Sequence, residues 1–90
     1  MRIKNLDGEV ILSVPGDTLE GAILIRMNLR RADLRGAKMG GANLREADLT
    51  GADLTDADLR GADLRKSNLT DADLTRTKMA GANTSGAKLQ

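Results

Sequence analysis

Gly41-Ala-Asn-Leu-Arg, Glu46-Ala-Asp-Leu-Thr, Gly51-Ala-Asp-Leu-Thr, Asp56-Ala-Asp-Leu-Arg, Gly61-Ala-Asp-Leu-Arg is the stretch that decides the fold. The five-residue unit runs without insertion from Asp17 to Gln90, placing 15 central residues at positions 19, 24, 29 and onward to 89. Twelve of these are Leu, two are Met (Met39, Met79) and one is Thr84. Ala stands two residues earlier in 11 of the 15 units, with Asp17, Met27, Ser67 and Thr77 as the exceptions. Five residues advance an α-helix by about 500°, so successive leucines step around its whole circumference and build no apolar face. A continuous strand fails too, because five is odd and each Leu would change sides. A corner in every unit resolves the conflict. Ala and Leu, two apart in an extended stretch, share one side, and a turn redirects the chain before the next pair. The result is a β-solenoid.

The spacing of the outward residues sets the number of units per coil. At 20 residues Gly21, Gly41, Gly61 and Gly81 align, as do Asp33, Asp53 and Asp73. Thr50 with Thr70, Thr55 with Thr75, Arg45 with Arg65 and Asn43 with Asn83 follow the same spacing. A spacing of 15 sets Thr50 against Arg65 and brings Lys66 into the glycine series. Four units therefore close one square coil, and coils stack at about 4.7–4.9 Å. The pattern Ala-Asp/Asn-Leu-x-x resembles the pentapeptide repeat family over residues 17–90. That resemblance implies an all-β, right-handed quadrilateral parallel β-helix. Many members carry Phe at the central position; this chain has none, which implies a core without aromatic stacking.

Residues 1–16 read differently and form, on this reading, an N-terminal β-hairpin cap on a solenoid of residues 17–90. Arg2-Ile-Lys-Asn-Leu and Glu9-Val-Ile-Leu-Ser-Val flank Asp7-Gly8, a pair suited to a two-residue type I′ turn, and Pro15-Gly16 ends the hairpin. Solenoid ends expose core and unpaired backbone, so a cap is expected. Leu89 fills a central position and only Gln90 follows, so that end is open, self-associating, or the point where a longer chain was cut. Leu74, Met79 and Leu89 mark it as a candidate dimer end, and a homodimer joined through residues 70–90 is expected.

Composition narrows the chemistry. The 90 residues include no Cys, His, Phe, Trp or Tyr. That removes a disulfide framework, thiolate chemistry, the usual neutral-pH base and stacking platforms for single strands. No cofactor is expected. The longest apolar stretch, Ala22–Ile25, is too short for a bilayer, and no secretory apolar region opens the chain, so a cytoplasmic protein without membrane contact is expected. Fourteen basic against 13 acidic residues leave a net charge of +1.

Local motifs read mostly as structure. Asp56-Ala-Asp-Leu-Arg-Gly begins like a calcium loop, but Arg60 takes a ligand position and Ser67 stands where the closing Glu belongs. The column Asp33, Asp53, Asp73 is read as side chains bonding turn backbone rather than a metal. Ser85-Gly-Ala-Lys88 matches S-x-x-K without its companion motifs, Asn68-Leu-Thr and Asn83-Thr-Ser fit incidental sequons, and Gly40-Gly41 reads as a corner.

Charge is banded along the axis. Residues 26–45 carry Arg26, Arg30, Arg31, Arg35, Lys38 and Arg45 against Asp33, a net +5, whereas residues 46–63 carry a net −5. Cohesion between coils is the simpler reading; the sharper one is an interaction surface built from Arg26, Arg30, Arg31, Arg35, Arg45, Asp53, Asp58 and Asp63. The expected function is a non-enzymatic structural or protein–protein interaction module with an unidentified protein partner. The family resemblance supplies an alternative, a DNA-mimicking protein that binds gyrase and confers quinolone tolerance. A short, slightly basic rod suits that role poorly. Direct nucleic-acid binding through the Arg-rich coil lacks aromatics and a continuous basic stripe.

Overall fold

One pentapeptide makes one side and one corner of a coil in the computed structural model, which describes residues 1–90. The residue two after each central position turns the chain. All fourteen such residues from Gly21 to Gly86 have φ between 53° and 73°. Across each corner the N–H of the Ala position donates to the carbonyl of the preceding central residue, as from Ala42 to Met39 at 3.0 Å. Positive φ at the third turn residue with this bond is the type II pattern. Seven corners use Gly; the other seven hold Arg26, Arg31, Glu46, Asp56, Lys66, Asp71 and Arg76 in the left-handed region, at about 1–2 kcal/mol each.

The ladder between coils offsets that cost. Parallel bridges join Ile23 to Asn43, Asn28 to Asp48, Asp33 to Asp53 and Lys38 to Asp58, each 20 residues apart, and continue to Asn68 with Lys88. In the unit Gly41–Arg45 every N–H has a partner. Gly41 donates to Arg60 O, Ala42 to Met39 O, Asn43 to Ala22 O and Leu44 to Asp63 O, all at 2.7–3.0 Å. The fifth, on Arg45, donates to Asn43 Oδ1 at 3.2 Å. The N–H groups of the repeat are therefore all satisfied within a five-residue vocabulary.

Inside, central residues 19 to 69 are all buried and stack with the buried alanines as one column. Each such Leu is worth about 1.5–3 kcal/mol. Two exceptions at the Ala position keep their hydroxyls satisfied: Ser67 Oγ donates to Leu64 O and Thr77 Oγ1 to Leu54 O, both at 2.8 Å. Met27 packs against the core from a half-buried position.

A two-stranded antiparallel hairpin, β1 (Arg2–Lys4) and β2 (Val10–Ser13), covers the N-terminal end. Ile3 is buried, and Ile11, Leu12 and Val14 pack on the core, sealing Leu19, Leu24 and Leu29. The segment around β1 also extends the solenoid wall. Asp33 N–H donates to Lys4 O at 2.7 Å and Leu6 N–H to Arg31 O at 2.8 Å. The hairpin turn corrects the sequence reading. Gly8 N–H closes onto Asn5 O, and only Gly8 has positive φ, at 88°. The loop is thus a three-residue turn with a left-handed Gly, not a two-residue type I′ turn. Asn5 is the cause: its Oδ1 accepts the N–H groups of both Asp7 and Glu9 at 3.0 Å and fixes the wider loop.

At the other end Leu74 and Met79 are half-buried and Leu89 is 54% exposed. The N–H groups of Leu74, Met79, Thr84 and Leu89 have no backbone partner. No helix in the structure is long and apolar enough to cross a membrane.

Adjacent glycines give a direct test of the corner. Gly41 sits at φ 66° with nothing near an added Cβ, so Gly41→Ala should cost about 1 kcal/mol through conformation alone. Gly40 lies outside the positive-φ region, and an added Cβ meets only Arg60 O at an ordinary 3.6 Å. Gly40→Ala should therefore stabilise by about 0.4–1 kcal/mol. Circular dichroism melts should move in opposite directions, by several degrees each.

Candidate interaction faces

The residue before each central position points outward and decides the local chemistry. All ten Asp and Asn at this position, from Asn28 to Asn83, accept the backbone N–H two residues ahead at 3.0–3.4 Å. The short side chain substitutes for a turn acceptor that the ladder does not supply. Where Thr follows, its hydroxyl bonds the same oxygen, as in Asp53–Thr55 and Asn68–Thr70, both at 2.6 Å. Where Arg follows, the guanidinium forks back onto the carboxylate: Arg35 on Asp33, Arg60 on Asp58 and Arg65 on Asp63, at 2.6–2.9 Å.

These bonds set the titration. The Arg60 and Arg65 guanidinium groups hold Asp58 and Asp63 down at about 2. Asp33 is lowered by Arg35, Asp56 by Arg76, and Asp48 and Asp73 chiefly by the hydroxyls of Thr50 and Thr75. Arg35, Arg60, Arg65 and Arg76 are raised by their carboxylate partners.

The residues singled out by charge do not form one patch. The first side of the square carries the column Thr18, Lys38, Asp58, Lys78, and the second carries Ile23, Asn43, Asp63, Asn83. The third carries Asn28, Asp48, Asn68, Lys88 and the fourth Asp33, Asp53, Asp73. Asp58 therefore stands on the first side, Arg45 and Asp63 on the second, Arg30 on the third, Arg35 and Asp53 on the fourth, and Arg26 and Arg31 at corners. Most are already paired. Arg26 reaches Glu46 at 2.9 Å, Arg30 reaches Asp48 at 3.2 Å, and Arg31 bonds Asp7 of the hairpin loop. The first two pairs and Asp56–Arg76 at 2.7 Å run between coils, so basic and acidic bands lock onto each other along the axis.

The remaining motifs resolve as structure. In the fourth-side column the carboxylates of Asp33, Asp53 and Asp73 are engaged by Arg35, Thr55 and Thr75. Nowhere do three carboxylates converge as a cation site would require. Ser85 ends one side and Lys88 lies beyond the corner at Gly86, with no bond between them. An open groove of about 440 Å³ lies between the hairpin and the first coil, lined by Arg2, Ile3, Asp17, Asp33, Arg35 and Lys38 among others.

Two features lay outside the residues chosen from charge. Ile23 is 70% exposed and Ile25 is 37% exposed, side by side on the second side. Their signal was a break in the outward pattern, since Ile23 replaces Asp or Asn and Ile25 replaces a polar or small residue. The second feature is the Arg fork within a repeat, which follows from Asp and Arg two apart on one extended stretch.

Acid stability follows from the shifted carboxylates. Their folded values lie below the ordinary 3.8, so their contribution is present above about pH 4 and is lost as pH falls through the folded values, which for Asp58 and Asp63 are about 2. With no His to titrate, the melting temperature should stay level from about pH 7 to 5 and drop steeply between about 4 and 2. A melt series across that range checks it; a fall beginning at pH 6 would contradict the assignment.

Comparison with known proteins agrees with the geometry. Residues 18–51 and 52–90 match the family described as Pentapeptide repeats, in eight copies. No curated protein matches the chain. Among solved structures, the pentapeptide repeat protein Rfr23 from the cyanobacterium Cyanothece 51142 is 39% identical with a TM-score of 0.80, over 81% of this chain and 50% of that one. A pentapeptide repeat protein of the Arabidopsis thaliana thylakoid lumen is 35% identical, TM-score 0.51, over 78% of this chain and 52% of its own. HetL, involved in heterocyst differentiation regulation in Nostoc sp. strain PCC 7120, is 36% identical, TM-score 0.51, over 81% of this chain and 36% of its own. This chain spans about half the length of the first two and about a third of HetL. Its coil is the right-handed quadrilateral β-helix of these proteins.

Proposed function

The chain belongs to the pentapeptide repeat family, and from that premise we propose that it acts as a rigid, non-enzymatic protein-interaction module. The observation that carries this reading is the pinning of the outward side chains. Every Asp and Asn directly before a central residue is tied to its own backbone, and the forked arginines are tied to those carboxylates. A partner meeting such a face loses little side-chain freedom on binding, because the order is already present. Pull-down with the purified chain should retain a defined protein in stoichiometric amount; failure to retain any would count against the reading.

DNA mimicry draws little support from the same geometry. The carboxylates of the acidic band are answered by Arg26, Arg30, Arg60, Arg65 and Arg76, so no bare negative lattice faces solvent. Gyrase supercoiling should be unaffected at micromolar protein, and strong inhibition in a gel assay would reverse that ranking.

We also propose self-association at the C-terminal coil. Leu89 is exposed beside half-buried Leu74 and Met79, and strand N–H groups there lack partners. The rim is mixed in sign, with Asp71 and Asp73 flanked by Arg76 and Lys78 on one hand and Lys88 on the other. A two-fold junction sets Asp73 of one copy opposite a Lys of the other and closes without forming a fibre. Light scattering should report a dimer that Leu89→Lys splits while leaving the circular dichroism spectrum unchanged. A wild-type monomer at high concentration would remove the proposal.

A further inference from the structure

The chain's own N-terminal segment shows what an open coil edge accepts. On the fourth side, the segment around β1 lies antiparallel to the coil, with Asn5 bridged to Ala32. Two bonds hold it there: Asp33 N–H to Lys4 O at 2.7 Å, and Leu6 N–H to Arg31 O at 2.8 Å. Ten residues earlier, on the second side, Ile23 and Gly21 occupy the places of Asp33 and Arg31. Neither Ile23 N–H nor Gly21 C=O has a backbone partner. The same pair of groups that receives β1 is thus vacant on the opposite wall.

The side chains at this edge depart from every other repeat. The outward position before the central residue otherwise holds Asp, Asn, Thr or Lys, and the one after it Glu, Gly, Arg, Thr, Ala, Ser or Gln. Here they are Ile23 and Ile25, two apart and therefore on the same face, 70% and 37% exposed. Ile23 also offers no oxygen to the N–H of Ile25, so this unit forgoes the turn bond that its neighbours make. The other edges at this end differ. Asn28 and Arg30 make the third side polar, and on the first side the Met1 amino group already donates to Gly16 O at 2.9 Å.

We infer that the edge Gly21–Ile25 is a docking site for an extended, apolar strand of a partner protein, added antiparallel to the coil as β1 is added on the opposite wall. This rests on the interaction-module reading and names the site it uses. A single strand fits where a second solenoid does not, because the hairpin, with Ile11, Leu12 and Val14 on the core, occupies the space above this end. Main-chain bonds supply register and the Ile pair supplies the apolar contact. Charge sets direction. On the fourth side, Asp7 follows Leu6 and pairs with Arg31 at the corner. On the second side the incoming strand's C-terminal end passes over Gly21 toward Glu20, which has no ion pair of its own. A Lys or Arg at that end of the strand is the complement.

Short random peptides displayed on phage, panned against the immobilised full chain, test this. Enriched sequences should alternate apolar residues and end in Lys or Arg, and on titration should shift and protect the Ile23 amide in NMR spectra. Ile23→Asp introduces the residue commonest at this position of the repeat, so it should fold, as circular dichroism would verify, yet bind those peptides about tenfold or more weakly. No enrichment, or equal binding to Ile23→Asp, would overturn the site. Conversion of a wild-type dimer to monomer by Ile23→Asp would make the edge a self-pairing surface and overturn it equally. A protein partner retained alike by wild type and Ile23→Asp would overturn this site while leaving the module reading intact.

Discussion

A corner with positive φ every fifth residue is the constraint on which the structure depends. Because the chain turns through the left-handed region at fourteen successive positions, Ala and Leu always return to the inside and each coil closes after 20 residues. Half of those corners are not Gly, so local preference alone does not hold them. For the five from Arg26 to Lys66 the ladder does: once coils are in register, moving one corner would break the bonds that its N–H and the next central N–H make to the following coil. Stability is therefore collective, rising with the number of stacked neighbours.

The outward Asp or Asn belongs to the same constraint. Three N–H groups of a repeat reach neighbouring coils and one closes the turn, which leaves one unsatisfied. Asp and Asn reach it; Lys and Ile do not. Where Lys38 and Lys78 replace them on the first side, in the column on either side of Asp58, the N–H groups of Gly40 and Ala80 go without that bond. Charge serves cohesion first. The bands that look like separate basic and acidic surfaces along the sequence interlock through Arg26–Glu46, Arg30–Asp48 and Asp56–Arg76.

The core, the corner and the four-sided coil were legible because each repeats, and a repeat states its geometry many times over. What is stated once was harder to read. The turn after Lys4 was misjudged because Asp-Gly alone favours a tight hairpin, whereas the Asn5 side chain captures two backbone N–H groups and widens it. The chosen charges were close along the axis but distributed around it, since 20-residue periodicity sends neighbours in sequence to different sides. Arg45 and Asp63 share a wall; Arg30 and Arg35 do not. Exposure of Ile23 was concealed by its place in an apolar run, where Ala22 and Leu24 point inward and Ile23 and Ile25 do not.

The two ends of the coil differ in kind. At the C-terminal end the open groups run around the whole coil and the apolar residues lie within the core column, the arrangement on which the proposed coil-to-coil junction rests. At the N-terminal end the hairpin has filled one wall and roofed the core, and the apolar groups left exposed on the second side stand outside the column. A wall missing one strand selects an extended segment. The same backbone edge thus poses two recognition problems, and the residues flanking it, Leu89 below and Ile23 above, separate them.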